Sequence, residues 1–272
     1  MVSIVVSIII GLIQGVLEWL PVSSEGSTSL FLTAFTNVSP ETSVKLALFL
    51  HAGTAVSALT YYRSEVWSLV SLLPEWRYSE AFEETPELAF LIAATVTSIV
   101  SGFTIYKLLI DVANALAGGV FISAIGGLLI ITGLIQQRAE THSCDHRKEP
   151  GAIDAVLIGF LQGVAVLPGV SRSGTTVSAL LLRDYEASVS LELSFLLSIP
   201  AAFGAGVLVV LETGGVPSMD PVVGATAFVV SAGVGYLTID ALVRVVERIR
   251  FWLVCLFFGG LAVIGGGIVF LV

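Results

Sequence analysis

The stretch Gly11 to Ser29, GLIQGVLEWLPVSSEGSTS, constrains this chain more than any other. It starts as an apolar helix of membrane grade, carries the carboxylate Glu18 where hydrocarbon is expected, and breaks at Leu20-Pro21 into a run of hydroxyls. A carboxylate near the centre of a spanning helix costs about 2.5 to 3.5 kcal/mol on insertion scales, so a partner elsewhere must offset it. The rest of the chain supplies the membrane context. Of its 272 residues, 56% are hydrophobic and 12% charged, too apolar for a soluble domain of this size. Apolar runs of about 20 residues, the length that crosses a bilayer, recur from end to end with short polar links. This predicts one polytopic domain over residues 1–272 and no separate soluble part. The first run passes into Gln14, Glu18 and Pro21 without a basic n-region or a small-residue cleavage site, so it does not read as a removable signal peptide.

Complete spans are predicted near 43–62, 88–107, 113–135, 190–211, 221–240 and 251–271. Residues 3–35 and 151–183 differ: each has an apolar first half, a Pro/Ser/Gly break and a shorter apolar second half, the pattern of paired half-helices that enter and leave on one side. Irregular backbone at membrane depth is tolerated only where protein or a water-filled cavity surrounds it. The two segments are also copies of each other. A shift of 148 positions aligns Ile10-Gly11 with Ile158-Gly159, Gln14-Gly15-Val16 with Gln162-Gly163-Val164, Val22-Ser23 with Val170-Ser171, Gly26 with Gly174 and Thr28 with Thr176. Nine of the nineteen positions from 10 to 28 are identical; shared Gln, Ser, Gly and Thr at fixed spacing across a break marks a repeat.

Repeat one (about 1–135) and repeat two (about 151–272), joined by loop 136–150, each hold three full spans. An odd number inverts the second copy. The expected fold is therefore an all-α integral membrane protein with inverted-topology repeats, six full transmembrane helices and two re-entrant helix pairs whose breaks meet near the midplane. Charge placement agrees with that span count: Arg63, Arg77, Arg138, Arg147, Lys148, Arg183, Arg244, Arg248 and Arg250 fall on one side, and Lys45 and Lys107 on the other. By the positive-inside rule the first group and loop 136–150 are cytoplasmic and both termini are outside, in a multi-pass protein of the cell membrane. The net charge of -9 comes from 21 acidic against 12 basic residues. With acids crowded into loops such as Glu75 to Glu87, it reads as a solvated acidic surface, and nucleic acid is not an expected partner. Cys144 and Cys255 have no spacing that suggests a disulfide framework. A homo-oligomer is compatible with this sequence.

The copies differ where charge appears. Glu18 lies opposite Val166, and Ser24 opposite Arg172. If the breaks meet, a carboxylate with hydroxyls from one and a guanidinium from the other share a site. Such a set suits a phosphate: Arg172 can form bidentate, charge-assisted bonds to its oxygens, while Gly26, Gly174 and the amides that start the half-helices let backbone approach an anion. The plainer reading of Arg172 is an ion pair with Glu18 that joins the repeats. Gln14 and Glu18, four apart, share a helix face; they could hold a divalent cation such as Mg²⁺ or Ca²⁺, or Glu18 could be a general base for a serine. Ser23, Ser24 and Ser27 are candidate nucleophiles, against the reading that such hydroxyls satisfy backbone groups at a break. Together with Ser171, Ser173, Gly174, Thr175 and Thr176, the residues Gln14, Ser23, Gly26 and Ser27 form the candidate substrate-binding set.

His51 is the only histidine inside an apolar run. A core histidine bonded to a backbone carbonyl is the expectation, with a catalytic imidazole the alternative should its helix line the cavity. His142, Cys144 and His146 alternate in the polar loop, but a full set of four zinc ligands is not evident. The four tryptophans read as interfacial or packing residues.

QGVLEWLPVSSEGS and PGVSRSGTT, followed by LSFLLSIPAAFGAG at 193–206, resemble the undecaprenyl-diphosphate phosphatase family, also called the bacitracin-resistance family, over essentially the whole chain. The resemblance implies an integral membrane enzyme with inverted repeats that removes the terminal phosphate of a polyprenyl diphosphate, leaving the lipid monophosphate carrier and inorganic phosphate. It places the family's E/Q-x-x-x-E pair on Gln14 and Glu18, its proposed nucleophile on Ser24 and its essential arginine on Arg172. One departure stands out: where most members read S-S-x-G-H, this chain has Ser23-Ser24-Glu25-Gly26-Ser27, so Ser27 replaces a histidine often given a catalytic role, and Glu25 is unusual. That weighs against a mechanism needing an imidazole at that point. The rival classes are a lipid or small-solute transporter on the same architecture and a pseudoenzyme that keeps the fold.

Overall fold

A computed structural model describes residues 2–116, 118–142, 147–217, 220–246 and 249–271; among them the chain is helical, with no named strand. Six helices are long and apolar enough to cross a membrane: α3 (Pro40–Tyr61), α6 (Pro86–Ala115), α7 (Gly118–Glu140), α10 (Ala187–Thr213), α11 (Pro221–Val246) and α12 (Phe251–Leu271). The protein is thus an all-α, multi-pass membrane protein, and the six predicted spans fall on these helices. Most ends lie further out than hydropathy places them. At α3, Ser39 accepts the amide of Thr42 at 3.3 Å, Pro40 occupies the first turn, and Glu41 follows it. Two short helices, α4 (Arg63–Ser71) and α5 (Ala81–Glu84), lie in the connection between α3 and α6.

Residues 3–35 and 151–183 each form two half-helices, as expected: α1 (Ile4–Leu17) with α2 (Ser24–Phe35), and α8 (Ala152–Val164) with α9 (Arg172–Leu182). One chemical device starts both second halves. Ser23 accepts the amide of Gly26 at 3.0 Å, and Ser171 accepts that of Gly174 at 3.1 Å, each an N-cap that satisfies a donor left free at the break.

The shared glycines of the two first halves do matching work. Gly11 and Gly15 let α1 lie on α11, where a side chain would meet the Ala227 carbonyl at 2.8 Å and the Gly235 amide at 2.9 Å. Gly159 and Gly163 let α8 lie on α6 against Ala94 and Gly102. Close backbone approach of this kind is how helices associate where lipid removes the hydrophobic drive. The long helices α7 and α12 repeat it at seven-residue spacing. Gly119 meets Gly266, and Gly126 meets Gly259, each facing the other's carbonyl.

On the arginine-rich side, a charged clasp ties the start of α8 to the turn after α9. Asp154 is buried and takes Arg183 at 2.6 Å, the Tyr185 hydroxyl at 2.7 Å and Arg147 at 2.8 Å, while Arg147 lies over the Tyr185 ring. Burial, with Asp154 beside it, pushes the Tyr185 hydroxyl up to about 12. Arg248, Cys144 and His146 lie outside the described residues, so of the alternating His142, Cys144 and His146 only the first is placed.

The α7–α12 crossing leaves no room for a side chain at Gly126, where a methyl-bearing carbon would sit 2.6 Å from the Gly259 carbonyl, whereas Gly127 faces open space. Gly126→Val is expected to destabilise by about 1–3 kcal/mol through overpacking. Gly127→Val should lie within about 0.5 kcal/mol of the parent. Thermal denaturation of both variants in detergent checks this, and equal melting temperatures would contradict the packing described.

Candidate active site

The two breaks are in direct contact. Ser23 Oγ, besides capping α2, accepts the Gly169 amide at 2.9 Å; Ser173 Oγ donates to the Leu20 carbonyl at 3.2 Å; and Gln136 Nε2, from α7, donates to the Pro21 carbonyl at 2.6 Å. Gly169 is needed on two counts: its φ is +101°, a conformation side chains resist, and a side chain there would meet the Ile125 carbonyl at 2.5 Å. A side chain at Gly26 would meet the amide of that same Gly169 at 2.8 Å. The smallness of Gly26 therefore serves contact between the breaks. The amides of Gly26 and Gly174, expected as open anion donors, are taken by their serine caps.

Glu18 is the hub of the site. Its Oε1 accepts Arg172 Nη2 at 2.8 Å; its Oε2 accepts Ser24 Oγ at 2.7 Å and Gln14 Nε2 at 2.8 Å, and lies 3.2 Å from His51 Nε2. Both members of the ion pair are buried, with 4% of the Glu18 side chain and 9% of the Arg172 side chain exposed. Arg172 also donates from Nη1 to the Ser194 carbonyl at 3.4 Å, while its Nε is buried without a partner.

Two further residues complete the cluster. His51 donates Nδ1–H to the Ala47 carbonyl at 2.9 Å, the backbone bond expected for it, yet its Nε2 also stands 2.8 Å from Glu25 Oε1. Glu25 is itself buried, and its Oε2 lies 3.4 Å from both Ser23 Oγ and Ser24 Oγ. The only sequence signals for this pair were a lone histidine in an apolar run and a carboxylate at an unusual position. Their meeting is a product of α2 packing on α3.

The other candidates divide by surroundings. Ser27 Oγ bonds the Ser23 carbonyl at 2.9 Å, and Thr176 Oγ1 bonds the Arg172 carbonyl and Ser194 Oγ, so these hydroxyls are engaged by protein. Thr175 Oγ1 is buried without a partner. Gln14 turns its NH₂, not its oxygen, to Glu18, and Gln14 Oε1 is a second buried orphan. Among the described residues no three His, Cys, Asp or Glu side chains are grouped to hold a metal ion. Gln14 Oε1 and Glu18 are the oxygens that would be offered to a hard divalent cation, and the amide, with its NH₂ on Glu18, would have to turn over to present Oε1 beside the carboxylate.

Glu25, His51 and Arg172 line one end of a cavity of about 340 Å³, which continues between α6 and α10 along Gly102, Phe103, Pro200, Gly204 and Leu208 to Tyr106 and Leu211. The groove is apolar beyond its charged end. Across its mouth Tyr106 and Lys107 of α6 bond Glu212 of α10. A second cavity of about 320 Å³ lies behind the breaks, lined by Trp19, Pro21, Gln136, Ser173 and Phe195. It touches neither His51 nor Arg172, and Glu18 and Ser24 line neither cavity.

Residues 7–264 match the family model described as Bacitracin resistance protein BacA. A curated protein of Haloarcula marismortui named undecaprenyl-diphosphatase is 53% identical over 263 residues, covering 97% of this chain and 97% of that protein. Proteins of the same name from Methanopyrus kandleri and Methanococcoides burtonii are 37% and 34% identical. The first alignment covers 95% of this chain and 94% of the relative, the second 97% and 98%.

The Glu18–Arg172 pair makes a stability prediction. Removing one member strands the other in a buried setting, which costs about 3–5 kcal/mol. Glu18→Ala and Arg172→Ala are each expected to lower the melting temperature, and the double variant to lose clearly less than the sum. Strict additivity in a double-mutant cycle in detergent would contradict the pairing.

Proposed function

Because the chain belongs to the bacitracin resistance protein BacA family, we propose that it is a membrane phosphatase that cleaves the terminal phosphate from an undecaprenyl-type polyprenyl diphosphate. The observation that carries this reading is the buried Ser24–Glu18–Arg172 constellation, whose Arg172 lines the charged end of an apolar groove. A diphosphate on a long prenyl tail matches both halves of that space.

Ser24 Oγ already donates to Glu18 at 2.7 Å, so the carboxylate is placed to take its proton as the oxygen attacks the terminal phosphorus. The bond from phosphorus to the bridging oxygen breaks, and its electron pair leaves with the lipid monophosphate. Water then cleaves the phosphoserine and frees inorganic phosphate. Arg172 supplies a guanidinium fixed by Glu18 and by the Ser194 carbonyl, positioned before the reaction to offset charge on phosphoryl oxygens. His51, held by Ala47, brings an imidazole to the site although position 27 is serine, and it is the group we assign the proton handling that relatives give to their histidine. A divalent cation, Mg²⁺ or Ca²⁺, held by Glu18 and Gln14 Oε1 would add charge neutralisation.

The groove also bears on orientation. Its far end, Tyr106 and Leu211, lies toward the ends of α6 and α10 near Lys107, while the arginine-rich ends lie on the opposite side. By the positive-inside rule the active site then opens outward at the cell membrane, with both termini outside. The two repeats are inverted about the meeting breaks, and release of the monophosphate there returns a glycan carrier lipid. A transporter has no use for a serine held against a carboxylate, which is why the enzymatic reading is preferred.

Purified protein in detergent with Mg²⁺ or Ca²⁺ is expected to release phosphate from a polyprenyl diphosphate. Ser24→Ala, Glu18→Gln and Arg172→Lys should each lower kcat/KM by about 10²-fold or more, and His51→Asn by about 10-fold or more. Absence of phosphate release by the parent protein over varied lipid and salt refutes the phosphatase reading. Full activity of Ser24→Ala refutes its role as nucleophile.

A further inference from the structure

Gln162 is the second-repeat counterpart of Gln14, and the chemistry above does not use it. It is buried, with 5% exposed, and lines the same cavity as Arg172. Its Nε2 donates to the Leu197 carbonyl at 3.3 Å and to Ser98 Oγ at 3.4 Å, and Ser98 Oγ in turn donates to the Thr95 carbonyl. A carbonyl can only accept, so the bond to Leu197 fixes which end of the amide is which. The other end, Gln162 Oε1, is a buried acceptor without a partner, and such a group costs free energy until something donates to it.

Arg172 presents the complement. Its Nε–H is a buried donor without a partner. The two side chains are tied to neighbouring rungs of α10: Arg172 to the carbonyl of Ser194 and Gln162 to that of Leu197. Three residues of helix separate those carbonyls by about 4.5 Å. The side chains of Arg172 and Gln162 line one cavity, and one leaves an unmet donor and the other an unmet acceptor.

The geometry points to a donor–acceptor pair that binds a phosphate group still carrying a hydrogen: Arg172 Nε–H gives to a P–O⁻ oxygen and Gln162 Oε1 receives from P–OH. An oxyanion without a hydrogen places a lone pair against Oε1 and is disfavoured. Inorganic phosphate keeps a P–OH at neutral pH and sulfate does not, so the pair should separate these two ions of nearly equal size and shape. The P–OH could belong to the cleaved phosphate or to the phosphate kept on the lipid. This inference rests on the phosphatase reading for its biological ligand, but the anion selectivity is measurable without turnover.

The test is binding of inorganic phosphate, of sulfate and of a polyprenyl monophosphate to the full chain in detergent, by calorimetry, for the parent and for Gln162→Met. The unbranched thioether keeps the volume and the helix while removing the acceptor. The parent is expected to bind phosphate roughly 10-fold or more tighter than sulfate, the worth of one charge-assisted bond. Gln162→Met should lose about that factor for the hydrogen-bearing ligand and leave sulfate unchanged, which also serves as the check that the variant is folded. A loss confined to inorganic phosphate assigns the pair to the cleaved phosphate, and a loss confined to the lipid monophosphate assigns it to the retained one. Unchanged affinity for both, or an equal fall for phosphate and sulfate, overturns the proposal. If the parent shows this selectivity yet releases no phosphate from a polyprenyl diphosphate, the phosphatase reading fails and the anion pair stands.

Discussion

The ion pair between Glu18 and Arg172 holds the centre of this protein together. Each charge stands at membrane depth on a broken helix, and neither would be tolerated alone. Glu18 is held on both oxygens by Arg172, Ser24 and Gln14, so its charge is spread over hydrogen bonds from both halves of the chain. The carboxylate that is unfavourable for a spanning helix is compensated by a residue 154 positions away. The candidate site and the assembly of the two breaks thus rest on the same contact.

What brings the breaks together is mostly an absence of side chains. Gly11 and Gly15 seat α1 on α11, Gly159 and Gly163 seat α8 on α6, and Gly26 lies against Gly169. In lipid, where apolar surface is not driven together by water, close backbone approach and interhelical hydrogen bonds are the remaining sources of cohesion. The repeated glutamines show how one scaffold position is put to two uses. Gln14 bonds the carboxylate of Glu18 at the end of its own helix, and Gln162 bonds the Leu197 carbonyl of α10.

The polar and apolar parts of the cavity are arranged along α10. Ser194 and Leu197 hold the charged end, and Pro200, Gly204, Leu208 and Leu211 then line the apolar path toward Lys107 and Glu212. Proline removes an amide from the helix ladder, and Gly204, where a side chain would meet open space, leaves the groove wide. Glu25, His51 and Arg172 line the other end and are buried, so that charges there act strongly on their neighbours.

Much of this was legible in the sequence, because hydropathy and repetition are local properties. Six apolar runs, two broken segments, the 148-residue shift and the one-sided arginines suffice to read an all-α membrane protein, and the unmatched Glu18 and Arg172 mark where its chemistry lies. Three things were decided only by tertiary structure. Glu25 and His51 meet because α2 packs on α3, a contact that no spacing in the chain records. The glycines and serine caps of the breaks, which read as phosphate contacts, are used largely by the protein itself, since two docked breaks must satisfy their own backbone first. The unmet acceptor of Gln162 and donor of Arg172 exist only once α10 has fixed the other atoms of both groups. Composition and periodicity report which residues enter the membrane; which hydrogen bonds remain unmade there depends on every neighbour at once.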